Sequence, residues 1–387
     1  MKVNLFRMGV VLAAAALFSW NPAIAQRRGP VTPINAEPAE RPVASNLASA
    51  DYGTDADNSG VDASGACDAC NSCNSCGPCG RRGGVGGGLC ADCDEDRYSR
   101  VNIAGFASMD TWRGPADGSF QSNFGSVTGL NAGAPLPFLD RLGIGGQLGA
   151  SYGVFDWAGR ESNGAERQNQ PQQQIFVTTG IFRRAKDCQL FNWGIGFDWM
   201  FNRNFGVLAQ SPTMGQWRAM VGVNLNTWNE LGVWGTVSQI EDSKLFDGSA
   251  ALRLPTGTVI NYRPRSQANL FWHHKYAFGG DTWLWVGATE RPRLGARGTQ
   301  TPIIIGGSMN VPLNYSLAIY GSFTYVTSSF ASANAVGSEN DITNIQLGLA
   351  WYPGAKARSR TVAGRCWAPY LPMANNGNFF VDTNGKY

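Results

Sequence analysis

The densest chemistry in the chain is a ladder of thiols. Cys67, Cys70, Cys73, Cys76 and Cys79 fall three residues apart, and Cys90 and Cys93 follow a glycine-rich break. Two CxxC pairs can supply four thiolates to tetrahedral zinc or an iron-sulfur centre. A ladder without apolar residues around it lacks a fold to fix such geometry. Disulfides are the expected state of an exported chain. Seven thiols leave at least one over, so a cross-link of the protein to itself or to an envelope or cell-wall protein is expected. Cys76-Gly77-Pro78-Cys79 has redox-motif spacing but lies in Gly- and Asn-rich coil, with no helix N-terminus to lower a thiol pKa. Cys188 and Cys366 stand apart and are expected to pair or lie close.

The two histidines are adjacent, His273 and His274. Neighbours on a strand point to opposite faces, so they cannot share a site. His273 falls on a polar face beside Lys275, and His274 falls between Trp272 and Tyr276. A hydrolase would need one of them as base to a serine, and no serine motif selects a partner. Asp156-Trp157 with Arg160-Glu161, and Glu241-Asp242 with Lys244, lack calcium-loop spacing and read as solvated loop charge. No catalytic, cofactor or metal residues are expected, and the chain is not read as an enzyme.

The elements that would position these groups are strands. In 215–239, Trp217, Ala219, Val221, Val223 and Leu225 alternate with Arg218, Met220, Gly222, Asn224 and Asn226. That is period two with one apolar face. A short link at Trp228, Asn229 and Glu230 leads to a second strand of the same kind. Strands of about ten residues, tilted, span a bilayer. The pattern recurs at about 98–108, 122–134, 141–154, 173–183, 190–200, 266–277, 282–290, 302–311, 314–326 and 342–352, twelve strands in all. Short and long connections alternate without a slip. The expected fold is all-β, an antiparallel up-and-down transmembrane barrel with apolar residues outward and a polar lumen. Both termini then lie on the periplasmic side. The expected lumen-lining residues are Gln147, Asp198, Arg218, Asn224, His273, Lys275 and Gln346. Arg218 and Lys275 could set a pore's charge preference, or pair with Asp198 and plug it.

The outer segments have their own signatures. Residues 1–25 read as a cleaved signal peptide: Lys2 and Arg7, an apolar core, and Ala23-Ile24-Ala25. Residues 26–65 read as a disordered linker, 66–95 as the Cys/Gly-rich segment, 96–353 as the barrel and 354–387 as a periplasmic tail. In that tail, Pro and Asn-Gly argue against another spanning strand. The formal charge of +3 and charged residues at 15% give no basis for nucleic-acid binding. No apolar run after the leader suffices for a spanning helix.

Leader, Cys-Gly ladder, Gly-rich barrel and the tail motif Pro369-Tyr370-Leu371-Pro372 with Ala374-Asn375-Asn376-Gly377 together resemble an uncharacterised family of exported planctomycete outer-membrane proteins. The likeness covers most of the chain. It implies a location and an architecture but no active site. The expected function is a porin-like channel for small solutes or ions. The alternative is a structural envelope protein whose barrel anchors the Cys-rich periplasmic segment. Membrane lipid is an expected partner in either case.

Overall fold

The computed structural model describes residues 101–384 except 118–121, 140–141, 158–159, 162–166, 169, 186–189, 227, 247–254, 295–299, 328–340, 354–356 and 358–366. The leader, the linker, the Cys-rich segment and all nine cysteines, including Cys188 and Cys366, lie outside the described residues.

Seventeen strands follow one another: β1 (Asn102–Arg113), β2 (Asn123–Pro135), β3 (Ile144–Phe155), β4 (Arg160–Glu161), β5 (Arg167–Gln168), β6 (Gln172–Arg183), β7 (Phe191–Arg203), β8 (Thr213–Asn224), β9 (Asn229–Ile240), β10 (Asp242–Phe246), β11 (Thr258–Pro264), β12 (Gln267–Lys275), β13 (Asp281–Thr289), β14 (Ile303–Pro312), β15 (Leu317–Val326), β16 (Ile342–Trp351) and β17 (Val381–Thr383). Twelve of them close into one antiparallel barrel, in the order β1-β16-β15-β14-β13-β12-β9-β8-β7-β6-β3-β2. Closure is made by β1 against β16, with Gly105 opposite Trp351 and Arg113 opposite Thr343.

Alternation sets which face looks inward. Leu148 is 59% exposed and its neighbour Gln147 is 4% exposed; Leu347 is 56% exposed and Gln346 is 5%. Exposed aromatics collect at both strand ends. Trp228, Trp272, Tyr276, Phe278, Tyr315 and Trp351 mark the short-turn end, and Phe124, Trp157, Phe201 and Tyr325 the long-loop end. An apolar belt between two aromatic girdles is the surface that a lipid-facing barrel requires.

Strands β1, β7 and β8 run further toward the long loops than their sequence pattern. β1 extends to Arg113, because Asp110 and Trp112 continue its inward face and are buried. The connection after β9 is not open loop but carries the hairpin β10–β11.

The largest departure is the C-terminal tail. Its described residues 367–384 do not lie outside the barrel. They start among short-turn residues, where the Trp367 carbonyl lies against Gly133. They end at β17, which pairs with β11 at the long-loop end. The described tail therefore threads the lumen from end to end, and β17 lies opposite the end where β1 begins. The lumen is also less polar than its sequence pattern. Phe176, Phe182, Trp234 and Phe271 point inward and are buried, where they pack on the threaded segment.

Candidate functional site, a lumen threaded by the C-terminal segment

The tail carries Pro at 369 and 372, which cannot donate to a ladder. It crosses the lumen as an irregular strand whose backbone bonds to barrel side chains. At the short-turn end the Arg184 guanidinium donates to the carbonyls of Ala368 and Pro369, each at 2.7 Å. The Tyr370 hydroxyl donates to Glu230 at 2.7 Å. Glu230 also accepts from Asn192 at 2.9 Å and faces His273 Nδ1 at 3.0 Å.

Deeper in, the Gln147 amide clasps Leu371 by both backbone groups. Its Nε2 donates to the Leu371 carbonyl at 2.6 Å and its Oε1 accepts from the Leu371 N–H at 3.1 Å. The Leu371 side chain lies on bare backbone. A methyl group added to Gly180, Gly194 or Gly196 would stand 3.0, 3.0 or 2.8 Å from it. Real side-chain carbons do not pack that closely on an apolar branch held in place. The small residues of the inward face thus make room for one particular side chain.

At mid-lumen sits a buried ion pair. Arg218 Nη2 lies 2.6 Å from Asp198 Oδ2, and both side chains are almost wholly buried. The other bonds of the guanidinium go to the tail, while Asp198 also accepts from the barrel side chains Thr178 and Gln216. Arg218 Nη1 donates to the Pro372 carbonyl at 2.9 Å, and Nη2 to Asn378 Oδ1 at 2.9 Å. Thr178 donates to Asp198 at 2.8 Å and accepts the Ala374 N–H at 3.0 Å. A buried pair tolerates desolvation only with such additional bonds.

Beyond it the tail turns. The Asn375 carbonyl accepts from the N–H groups of Asn378 and Phe379 at 3.1 and 2.9 Å. Asn376 donates to Gln174 at 2.9 Å, and Gln267 donates to the Asn378 carbonyl at 2.8 Å. Phe379 and Val381 then enter an apolar cluster with Trp112, Phe155, Met200, Phe205 and Tyr262 that fills the long-loop end. There Arg265 is buried, which pushes its guanidinium down to about 10, with Asp382 and Glu290 opposing the shift. Asp382 accepts from the N–H groups of Arg293 and Leu294 at 2.7 and 3.1 Å.

Of the residues named from sequence, Gln147 and Arg218 meet the tail on one wall, with Asp198 paired to Arg218 behind it. Gln346 meets it on another, accepting from Asn375 at 3.4 Å while donating to Ser108 at 2.8 Å. His273 lies between Glu230 and Asp281, at 3.0 and 3.3 Å, and stacks on Trp283. Asn224 and Lys275 are half-buried at the short-turn end, with Asn224 accepting from Asn192 at 3.1 Å. His274 does sit between Trp272 and Tyr276. Sequence reading missed Arg184, Glu230, Thr178 and Gln174, whose partners are on the tail. Among the described residues no group of three or more His, Cys, Asp or Glu is placed to hold a metal ion. Of the charges read as loop charges, Asp242 and Lys244 lie in β10 and pair at 3.0 Å, and Glu241 faces Arg263 at 3.6 Å.

A family model described as a family of unknown function, DUF6666, matches residues 102–381. No curated protein matches the chain. Several solved barrels resemble it at low identity. The translocator domain of the autotransporter NalP from Neisseria meningitidis is 15% identical, with a TM-score of 0.39, covering 66% of this chain and 89% of that one. The KdgM porin in complex with disordered oligogalacturonate is 8% identical, with a TM-score of 0.34, covering 64% and 98%. The Pseudomonas putida toluene transporter TodX is 8% identical, with a TM-score of 0.36, covering 65% and 88%. None of these likenesses bears on what the chain carries or binds.

Proposed function

We propose that this chain, which belongs to the DUF6666 family, is an outer-membrane β-barrel closed by its own C-terminal segment and serving as an envelope anchor. The observation that carries this reading is the threaded tail: residues 367–384 run through the lumen and bond to inward side chains along its whole length. The apolar exterior between two aromatic girdles supports lodging in a bilayer. A tail held by the Arg218–Asp198 pair and by the glycine cradle of Leu371 is part of the fold rather than a loose gate. In this reading the segments preceding the barrel, with their cysteines, are the parts that meet the envelope. Liposome swelling with small sugars and ions tests it. Vesicles carrying the full chain should swell no faster than empty ones, and rapid size-dependent swelling would count against a closed barrel.

A porin-like reading keeps one observation in its favour. The tail makes most of its bonds to strands β3 to β9 and leaves a cavity of about 250 Å³ beside it, lined on the other side by β13 to β15. Conduction would require the tail to leave, or the apolar cluster at the long-loop end to part.

A further inference from the structure

The cavity left beside the tail is built unlike the rest of the lumen. Its floor is β14, whose inward residues there are Gly306, Ser308 and Asn310. Aromatic residues flank that floor on both sides. Trp283 and Trp285 stand on β13, and Tyr320 on β15, with Phe106 edge-on to Tyr320 at 5.6 Å. All four point inward yet are only half-buried. The tail residues 372–375 form the roof.

The polar groups of the floor are incompletely used. Asn310 is buried and accepts from the Tyr352 hydroxyl at 3.1 Å, while its Nδ2 has no partner among the described residues. Ser322 Oγ, opposite Ser308, also has none. Buried polar groups are almost always satisfied, so each such atom needs an account. The ionic groups near the site are occupied, with His273 between Glu230 and Asp281 and Arg184 on tail carbonyls.

We propose that this groove binds a single neutral sugar ring, a hexopyranose or the end unit of a glycan. The C–H faces of a pyranose are apolar and fit between aromatic walls, and its hydroxyl rim meets the amide and hydroxyls of the floor. A purely apolar guest would leave Asn310 and Ser322 without partners at a desolvation cost. A charged guest would have to compete with protein partners for Arg184, His273 and Asp281, the ionic groups of the lining. The volume exceeds the roughly 150 Å³ of an apolar cavity that accepts benzene. The long-loop end is packed by the Phe379 and Val381 cluster, so the groove is reached from the short-turn end and is a binding site, not a passage.

Equilibrium dialysis of the full chain in lipid nanodiscs, with radiolabelled glucose, galactose and N-acetylglucosamine, tests this. Saturable binding of at least one is expected. It should weaken at least tenfold in Ser308→Leu, which fills the floor, and in Tyr320→Ala, both judged folded by heat-dependent gel mobility. Phenol and glucuronate should not displace the sugar. Absence of saturable binding by the unaltered chain would overturn the proposal. So would displacement by phenol, or binding unchanged in both variants.

Discussion

Arg218 and Asp198 form a buried ion pair at 2.6 Å, and the same guanidinium donates to the Pro372 carbonyl at 2.9 Å. One side chain thus joins barrel wall to tail. Removing one partner strands the other charge. Arg218→Ala should destabilise the barrel by about 3–5 kcal/mol, seen as a lower temperature for the heat-induced mobility shift. The double variant Arg218→Met with Asp198→Leu should recover much of that loss, because a hydrophobic pair carries no desolvation cost.

Leu371 is gripped by Gln147 and seated on Gly180, Gly194 and Gly196. Leu371→Ala should cost about 2–5 kcal/mol, the range for a buried leucine. Gly194→Leu should be more informative, since the added side chain competes for the same space. The tail should become accessible to protease while the barrel keeps its heat-modifiable mobility.

Tyr370 donates to the Glu230 carboxylate at 2.7 Å. Tyr370→Phe removes one bond to a charged group, worth about 1.5–3 kcal/mol. Chemical denaturation in detergent should show a lower midpoint with an unchanged slope.

Outside the barrel wall, Asp242 accepts from the Thr213 N–H at 2.7 Å and faces Lys244 at 3.0 Å. Burial raises its carboxyl, but these bonds outweigh it and hold it below its ordinary value of 3.8. A depressed folded value means the stabilisation is complete above the unfolded value and is lost as pH falls through the folded one. Hydrogen exchange in β10 and β11 should therefore accelerate relative to the barrel strands as pH drops below about 4. Asp242→Asn should remove that acid step.

The last described strand, β17, lies at the long-loop end, opposite the start of β1. In proteoliposomes of one orientation, an epitope added after Tyr387 should be cleaved by external protease together with one in loop 295–299. An epitope in turn 186–189 should be spared under the same conditions. Cleavage of the C-terminal and 186–189 tags together would contradict a threaded tail.

Strand positions and faces were legible because a two-residue period leaves a repeated mark. Leu148 beside Gln147 and Leu347 beside Gln346 carry it, and even the weakly patterned stretch near 122–134 forms β2. The tail was not legible, for a physical reason. Until it reaches β17 its backbone bonds to Gln147, Arg218, Thr178 and Gln267 side chains rather than to a neighbouring strand, so its sequence shows no period. The inward glycines were readable as a small face, but their reason lies in Leu371, far away in sequence. Pairing of Arg218 and Lys275 with Asp198 was one of two readings open from sequence; Arg218 makes that pair and also bonds to the tail, while Lys275 is half-buried at the short-turn end.

Single-channel recording in a planar bilayer compares the full chain with a chain ending at residue 366. A lumen closed by its tail predicts a silent but inserted full chain and reproducible current steps from the shortened one, with heat-modifiable mobility confirming insertion of both. Steps of equal size from the two would contradict it.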